Sequence, residues 1–110
     1  MTSSPPPLVE LGPTEVRDRL ASREIVLIDV REAAEFAAGH IQGAISAPLS
    51  TLTPESLPGS APDTLVFNCG IGKRSAMAVA KLRQAGVPVS CHLTGGLAAW
   101  RAAGLPIVSD

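Results

Sequence analysis

LVFNCGIGKRSAMAVAKLRQAG, residues 65–86, is the stretch whose reading decides the fold. Its opening, Leu65-Val66-Phe67, is a short apolar run of the kind that forms a buried strand, and it stops at Asn68. Cys69 begins a turn carrying Gly70 and Gly72, and the residues after it repeat with a helical period. Ala76, Val79 and Ala80 fall at i, i+3 and i+4, with Leu82 beside them and Lys81 and Gln84 on other faces. Gly86 ends that helix and Pro88 keeps it ended. The stretch therefore reads as a strand, a tight loop and a helix.

The loop defines the chemistry. Two glycines allow the backbone to curl so that successive N–H groups face inward, and the first turn of a helix leaves N–H donors unpaired at the positive end of its dipole. Lys73 and Arg74 bring two positive charges to the same place. A free thiol ionises near pH 8.5, and next to helix N-termini or cations the value falls to roughly 3.5–7.5. Cys69 is thus expected to be a thiolate nucleophile in an anion-binding cradle. A cysteine at the end of a core strand can also be a packing residue and nothing more, but such a thiol would not need this loop.

Composition sets the limits. The 110 residues make one domain, 45% hydrophobic but only 3% aromatic, with no tyrosine. Few bases could stack on such a chain, and a net charge of −1 does not attract phosphate backbones, so nucleic acid is not an expected partner. Residues 1–63 hold nine acids and four bases, whereas residues 64–110 hold five bases and Asp110 alone. The cysteine half reads as locally positive, suited to a small anion, with Lys81 and Arg83 as solvated surface. Cys69 and Cys91 stand far apart with no CxxC, which suggests neither a disulfide framework nor a metal site. The start, MTSSPPPLVELG, lacks a basic region followed by an apolar run, so no membrane contact and a cytoplasmic location are expected.

The remaining elements alternate in type. Residues 1–7 read as a disordered, polyproline-like lead-in and 8–110 as the folded domain. Leu8 to Leu11 suggests a short strand, and Pro13 opens a helix with Val16 and Leu20 on one face. Ile25 to Ile28 is an unbroken apolar run, the mark of a parallel strand covered on both faces, and it leads to Asp29-Val30-Arg31. That places Asp29 and Arg31 at a strand's carboxyl end, where open parallel sheets carry their sites. Either could serve chemistry or brace a loop as an ion pair; bracing is favoured, because a carboxylate beside a thiolate would oppose its ionisation. Glu32 to Ala38 reads as a helix holding Phe36 inward, closed by Gly39, with His40 as a structural residue after it. Ile41 to Ala47 and Val87 to Leu93 read as strands, residues 48–63 as a loop with one helical turn near Thr53 to Leu57, and Cys91 as a core residue. Thr94-Gly95-Gly96 opens a last helix anchored by Leu97 and Trp100.

Two nucleotide motifs fail on their residues. A Walker A loop would need glycine at Phe67 and Ser or Thr at Arg74, and a dinucleotide loop would need glycine at Ser75 with an acid about twenty residues on. A cysteine phosphatase is a closer rival, but its pattern resembles C-x5-R, whereas Cys69 to Arg74 is C-x4-R, a tighter ring.

Four separated motifs resemble a single-domain rhodanese, a sulfurtransferase. They are Leu27-Ile28-Asp29-Val30-Arg31 with Glu35-Phe36, Gly39-His40-Ile41 with Gly43-Ala44, Cys69 through Ser75 as C-x-x-G-x-R-S, and Gly95-Gly96 with Ala99-Trp100 and Gly104-Leu105-Pro106. The resemblance implies an α/β fold with a central parallel five-stranded sheet and helices on both faces. It also implies that Cys69 becomes a persulfide within a cradle formed by Gly70, Ile71, Gly72, Lys73, Arg74 and Ser75. The expected reaction takes sulfur from thiosulfate or a persulfide onto Cys69 and passes it to cyanide or a thiol, with no cofactor. Two alternatives stay open: a small-anion phosphatase or arsenate reductase using the same thiolate, and a sulfur-carrier or binding module acting with a partner protein. Two departures from the family pattern stand out: Ser46, where members often have asparagine, touches a loop and not the reaction, whereas the weakly polar Gly70 and Ile71 leave anion binding to Lys73, Arg74 and backbone N–H groups and bear on substrate preference.

Overall fold

The computed structural model describes residues 7–109, so residues 1–6 of the expected lead-in lie outside it. The elements are β1 (Val9–Leu11), α1 (Pro13–Ala21), β2 (Val26–Asp29), α2 (Ala33–Ala38), β3 (Ile45–Ser46), β4 (Leu65–Asn68), α3 (Lys73–Gln84), β5 (Cys91–Leu93) and α4 (Gly96–Ala102). Three short 3-10 turns lie between β3 and β4. The five strands form one sheet in the order β1-β5-β4-β2-β3, every pair parallel.

The unbroken apolar runs are explained by this sheet. Successive side chains of a strand point to opposite faces, and both faces here are covered. Ile28 and Phe67 join a core with Ala78, Val79 and Leu82 of α3, while Leu27 and Val66 join a second core with Val16 of α1 and Leu97 and Trp100 of α4. Phe67 is fully buried; its truncation to alanine belongs to the class of change that costs about 3–5 kcal/mol. Trp100 anchors α4 as expected, and its Nε1 donates to Pro106 O at 2.9 Å.

Several sequence expectations are corrected in detail. The buried face of α3 runs through Ser75, Ala78, Val79 and Leu82, while Ala80 is exposed, so the apolar stripe is set one residue away from the one expected. The strand expected over 41–47 shrinks to Ile45–Ser46, because Ile41 to Ala44 is used in a turn closed by Ala44 N–H on Ile41 O at 3.0 Å. That expected over 87–93 shrinks to Cys91–Leu93, since Pro88 has no N–H to give a ladder and Val89 N–H turns back onto Val87 O. Phe36 is half-buried and not in the core; its ring stacks on His40 with centroids 3.8 Å apart. His40 is buried and its Nδ1 lies 2.7 Å from Phe36 O, a structural placement. Arg83 is not free surface, since its Nε donates to Val89 O at 2.8 Å.

Candidate active site

Register brings the chemistry to one sheet edge. Asp29 of β2 pairs with Asn68 of β4, so Cys69, the first residue after β4, and Arg31, the second after β2, leave the carboxyl ends of adjacent strands. Cys69 is fully buried beneath its own loop. Gly72 N–H and Ser75 N–H donate to its Sγ at 3.1 and 3.2 Å, and Ser75 Oγ lies 3.5 Å away. Gly72 has φ +99°, a left-handed conformation that turns the chain from loop into helix and that a side chain rarely adopts. Burial raises the thiol's pKa, but the Ser75 hydroxyl and the N–H groups of Ser75, Gly72 and Ile71 outweigh it, so the net shift is downward. Cys91, half-buried and without such donors, is shifted upward by burial.

For amides to face the sulfur, the loop's carbonyls must face elsewhere. Cys69 O and Gly70 O accept from Leu97 N–H at 2.8 Å and Ala98 N–H at 2.9 Å, two of the unpaired donors in the first turn of α4. The approach is so close that a Cβ on Gly96 would lie 2.4 Å from Cys69 O. Thr94-Gly95-Gly96 is therefore part of the site and not merely a helix start, a role the linear sequence did not disclose.

The cations are arranged differently from the expectation. Arg74 is not a free anion receptor, because its Nη1 and Nη2 pair with both carboxylate oxygens of Glu35 at 2.7 and 3.0 Å. Hydrogen bonds from Arg74 and then from the Glu32 backbone hold the Glu35 carboxyl down at about 2. Arg74 is pushed up by the same pairing with Glu35. Lys73 is exposed and makes no ion pair among the described residues. Gly70 is half-buried, and Ile71 is 71% exposed at the loop's tip. The positive character read from residues 64–110 is thus partly cancelled in three dimensions by Glu35.

Asp29 and Arg31 form a buried ion pair, with Nη2 to Oδ2 at 2.8 Å and Nε to Oδ1 at 3.0 Å. The guanidinium also donates to Gly39 O at 2.7 Å and Glu35 O at 3.3 Å, tying the end of β2 to the end of α2. This is the bracing arrangement favoured from sequence. Since it fixes Glu35's backbone, it also fixes the partner of Arg74. Among the described residues no group of three His, Cys, Asp or Glu side chains is gathered to hold a metal ion, and no helix is long and apolar enough to cross a membrane.

A parallel α/β sheet with a thiol at the end of a central strand, ringed by amides of the following loop and helix, defines a class of three-layer domains with one cysteine at the sheet's carboxyl edge. The family model described as "Rhodanese-like domain" matches residues 12–103, and the chain belongs to that family. It is 43% identical over 108 residues to the uncharacterised protein slr1261 of Synechocystis, covering 98% of this chain and 60% of that protein. It is 43% identical over 93 residues to "Probable adenylyltransferase/sulfurtransferase MoeZ" of Mycobacterium tuberculosis, covering 82% of this chain and 24% of that protein. A relative of Allochromatium vinosum named sulfurtransferase is 35% identical, with 91% of this chain and 94% of that protein covered. The first two relatives thus extend well beyond the region this chain matches. Among solved structures, thiosulfate sulfurtransferase of Pseudomonas aeruginosa superposes with a TM-score of 0.79 at 30% identity over 93% of this chain and 20% of that one. The human single-domain sulfurtransferase TSTD1 gives 0.70 at 32% identity over 88% and 96%.

Proposed function

We propose that the protein is a sulfurtransferase in which Cys69 carries the transferred sulfur as a persulfide. The observation that supports this best is the convergence of the Gly72 and Ser75 N–H groups on one sulfur at 3.1 and 3.2 Å. Such donors stabilise a thiolate at rest, and they suit the negative charge that a persulfide also carries. The thiolate attacks the outer sulfur of thiosulfate or a persulfide; a new S–S bond forms, the donor's own S–S bond breaks, and sulfite or a thiolate leaves with the electron pair. A second nucleophile, cyanide or a thiol, then takes the outer sulfur and regenerates the Cys69 thiolate. Lys73, exposed beside the loop, meets the anionic donor, with Arg74 set behind it by Glu35. Gly70 to Ser75 form the cradle.

The acceptor is open to a partner protein in a sulfur relay. The joining of adenylyltransferase and sulfurtransferase in the MoeZ name, and in that of the Aspergillus clavatus relative uba4, favours this reading. A cytoplasmic setting, where the thiol stays reduced, fits the same chemistry.

Intact-protein mass spectrometry after incubation with thiosulfate is the test. The expected result is a gain of one sulfur on Cys69 that is lost on adding cyanide or a thiol and is absent from Cys69→Ser. No gain from any sulfane donor, or a gain that survives in Cys69→Ser, overturns the proposal.

A further inference from the structure

One buried titratable side chain stands beside the site without a part in the chemistry above. His92 is 3% exposed and is in register with Phe67, so it faces α3, where its Nδ1 lies 2.8 Å from Ser75 Oγ. On the other side of the ring Nε2 is buried with no hydrogen-bond partner among the described residues. Glu10, its register neighbour on β1, has Oε1 3.6 Å from Nε2. Cys69, Ser75, His92 and Glu10 therefore form a row that begins at a buried sulfur and ends on a carboxylate side chain 62% exposed.

The hydroxyl in the middle makes this row a coupling device. A serine hydroxyl has one hydrogen to donate. Around Ser75 Oγ stand Gly72 O at 3.2 Å, which only accepts, His92 Nδ1 and the Cys69 sulfur. When Nδ1 is bare, the 2.8 Å contact requires Ser75 to donate to it. The oxygen then offers only lone pairs to Cys69, which suits S–H and opposes S⁻. When Nδ1 carries a hydrogen it donates to Ser75, whose own hydrogen is released to the sulfur, which suits S⁻. The nearby carboxylate of Glu10 favours a hydrogen on Nε2. A hydrogen added at Nδ1 thus makes the ring a cation facing an anion.

We propose that His92 receives, through Ser75, the proton that Cys69 gives up, with Glu10 supporting the imidazolium from β1. The Cys69 S–H bond breaks as its proton passes to Ser75 Oγ, the Ser75 proton passes to Nδ1, and the electron pair stays on sulfur. No outside reactant is needed. His92 touches no reacting atom and is a positioning residue. The titratable groups arrayed about it are Glu10 on β1 and, across Ser75, Cys69 after β4, with Cys91 preceding it on β5. This inference rests on Cys69 being the nucleophile.

The test uses the full chain carrying Cys91→Ala, which leaves Cys69 as the only thiol. Alkylation by iodoacetamide is followed against pH. His92→Asn keeps an amide that can bond Ser75 but cannot take up a proton, and it is expected to move the midpoint up by about one unit, slowing alkylation about tenfold at pH values below both midpoints. Glu10→Gln, at an exposed position, moves it the same way by less. In the parent protein, nitrogen NMR of the imidazole is expected to show both ring nitrogens carrying hydrogen near neutral pH, and only one in Cys69→Ser. An unchanged midpoint in folded His92→Asn, or a ring with one hydrogen in both proteins, overturns the proposal. None of these readouts needs a sulfur donor, so absence of sulfur loading would leave them standing. A parent thiol that ionises no more readily than free cysteine would instead sink the reading of Cys69 itself.

Discussion

Gly96→Ala should damage the reactive loop from the far side of the site. Gly96 has φ +59°, and an alanine held in the left-handed region costs about 1–2 kcal/mol. Its Cβ would lie 2.4 Å from Cys69 O, 2.7 Å from Gly70 C and 2.8 Å from Gly70 O, all backbone, so the loop or the start of α4 must move by about half an ångström or more. That movement strains two hydrogen bonds, from Leu97 N–H and Ala98 N–H, each worth about 0.5–1.5 kcal/mol. The sum is about 2–5 kcal/mol, which in a domain of this size lowers the melting temperature by roughly 10–25 °C. Gly104→Ala is the control: φ is +76° but nothing lies within 4 Å of the added carbon, so only the backbone cost applies. Thermal denaturation by circular dichroism measures both variants, and iodoacetamide alkylation at pH 7 reads the thiolate. Gly96→Ala is expected to lose more stability than Gly104→Ala and also to lose thiol reactivity, because the amides around Sγ move with the loop. If Gly96→Ala melted no lower than Gly104→Ala and alkylated at the parent rate, the claim that α4 holds the loop's carbonyls would be wrong.

The rate of Cys69 alkylation should rise with pH through a midpoint below that of a free thiol, and Ser75→Ala should move this midpoint upward by removing the hydroxyl whose hydrogen bond to the sulfur lowers it, while the Ser75 N–H stays in place. Because the native thiol ionises more readily than the unfolded one, the unfolded chain binds more protons between the two values; stability from this group is therefore full above the unfolded value and is lost as pH falls through the native one, as chemical denaturation across that window would record. Arg31→Ala leaves Asp29 charged, buried and unpaired, and should cost about 3–5 kcal/mol in urea denaturation, whereas an exposed-site change such as Glu15→Ala should cost under about 1 kcal/mol. Lys73→Ala should raise KM for thiosulfate and flatten its salt dependence with little loss of stability, while Glu35→Gln should loosen Arg74 and remove an acid-sensitive contribution that in the parent persists until pH falls from the ordinary carboxylate range toward about 2.

Much of this protein could be read without coordinates because its signals are local. Leu65 to Gly86 encodes strand, turn and helix by apolar run, glycine and period, and a thiol in front of a helix start is activated by its immediate neighbours. The unbroken runs at 25–28 and 65–67 require cover on both faces, which is why a parallel sheet followed from them. Asp29 and Arg31, two residues apart at a strand end, paired as the sequence favoured.

What the chain order could not disclose is which distant groups meet. Glu35 reaches Arg74 across 39 positions and takes up the charge that the sequence assigned to substrate. His92 meets Ser75 only because β5 lies beside β4 and α3 crosses above it. The carbonyls of Cys69 and Gly70 find their donors in a helix that begins 26 residues after Gly70. Local propensity and periodicity determine each element, whereas pairing across the sheet depends on which strands become neighbours, and that is decided only when both cores pack at once.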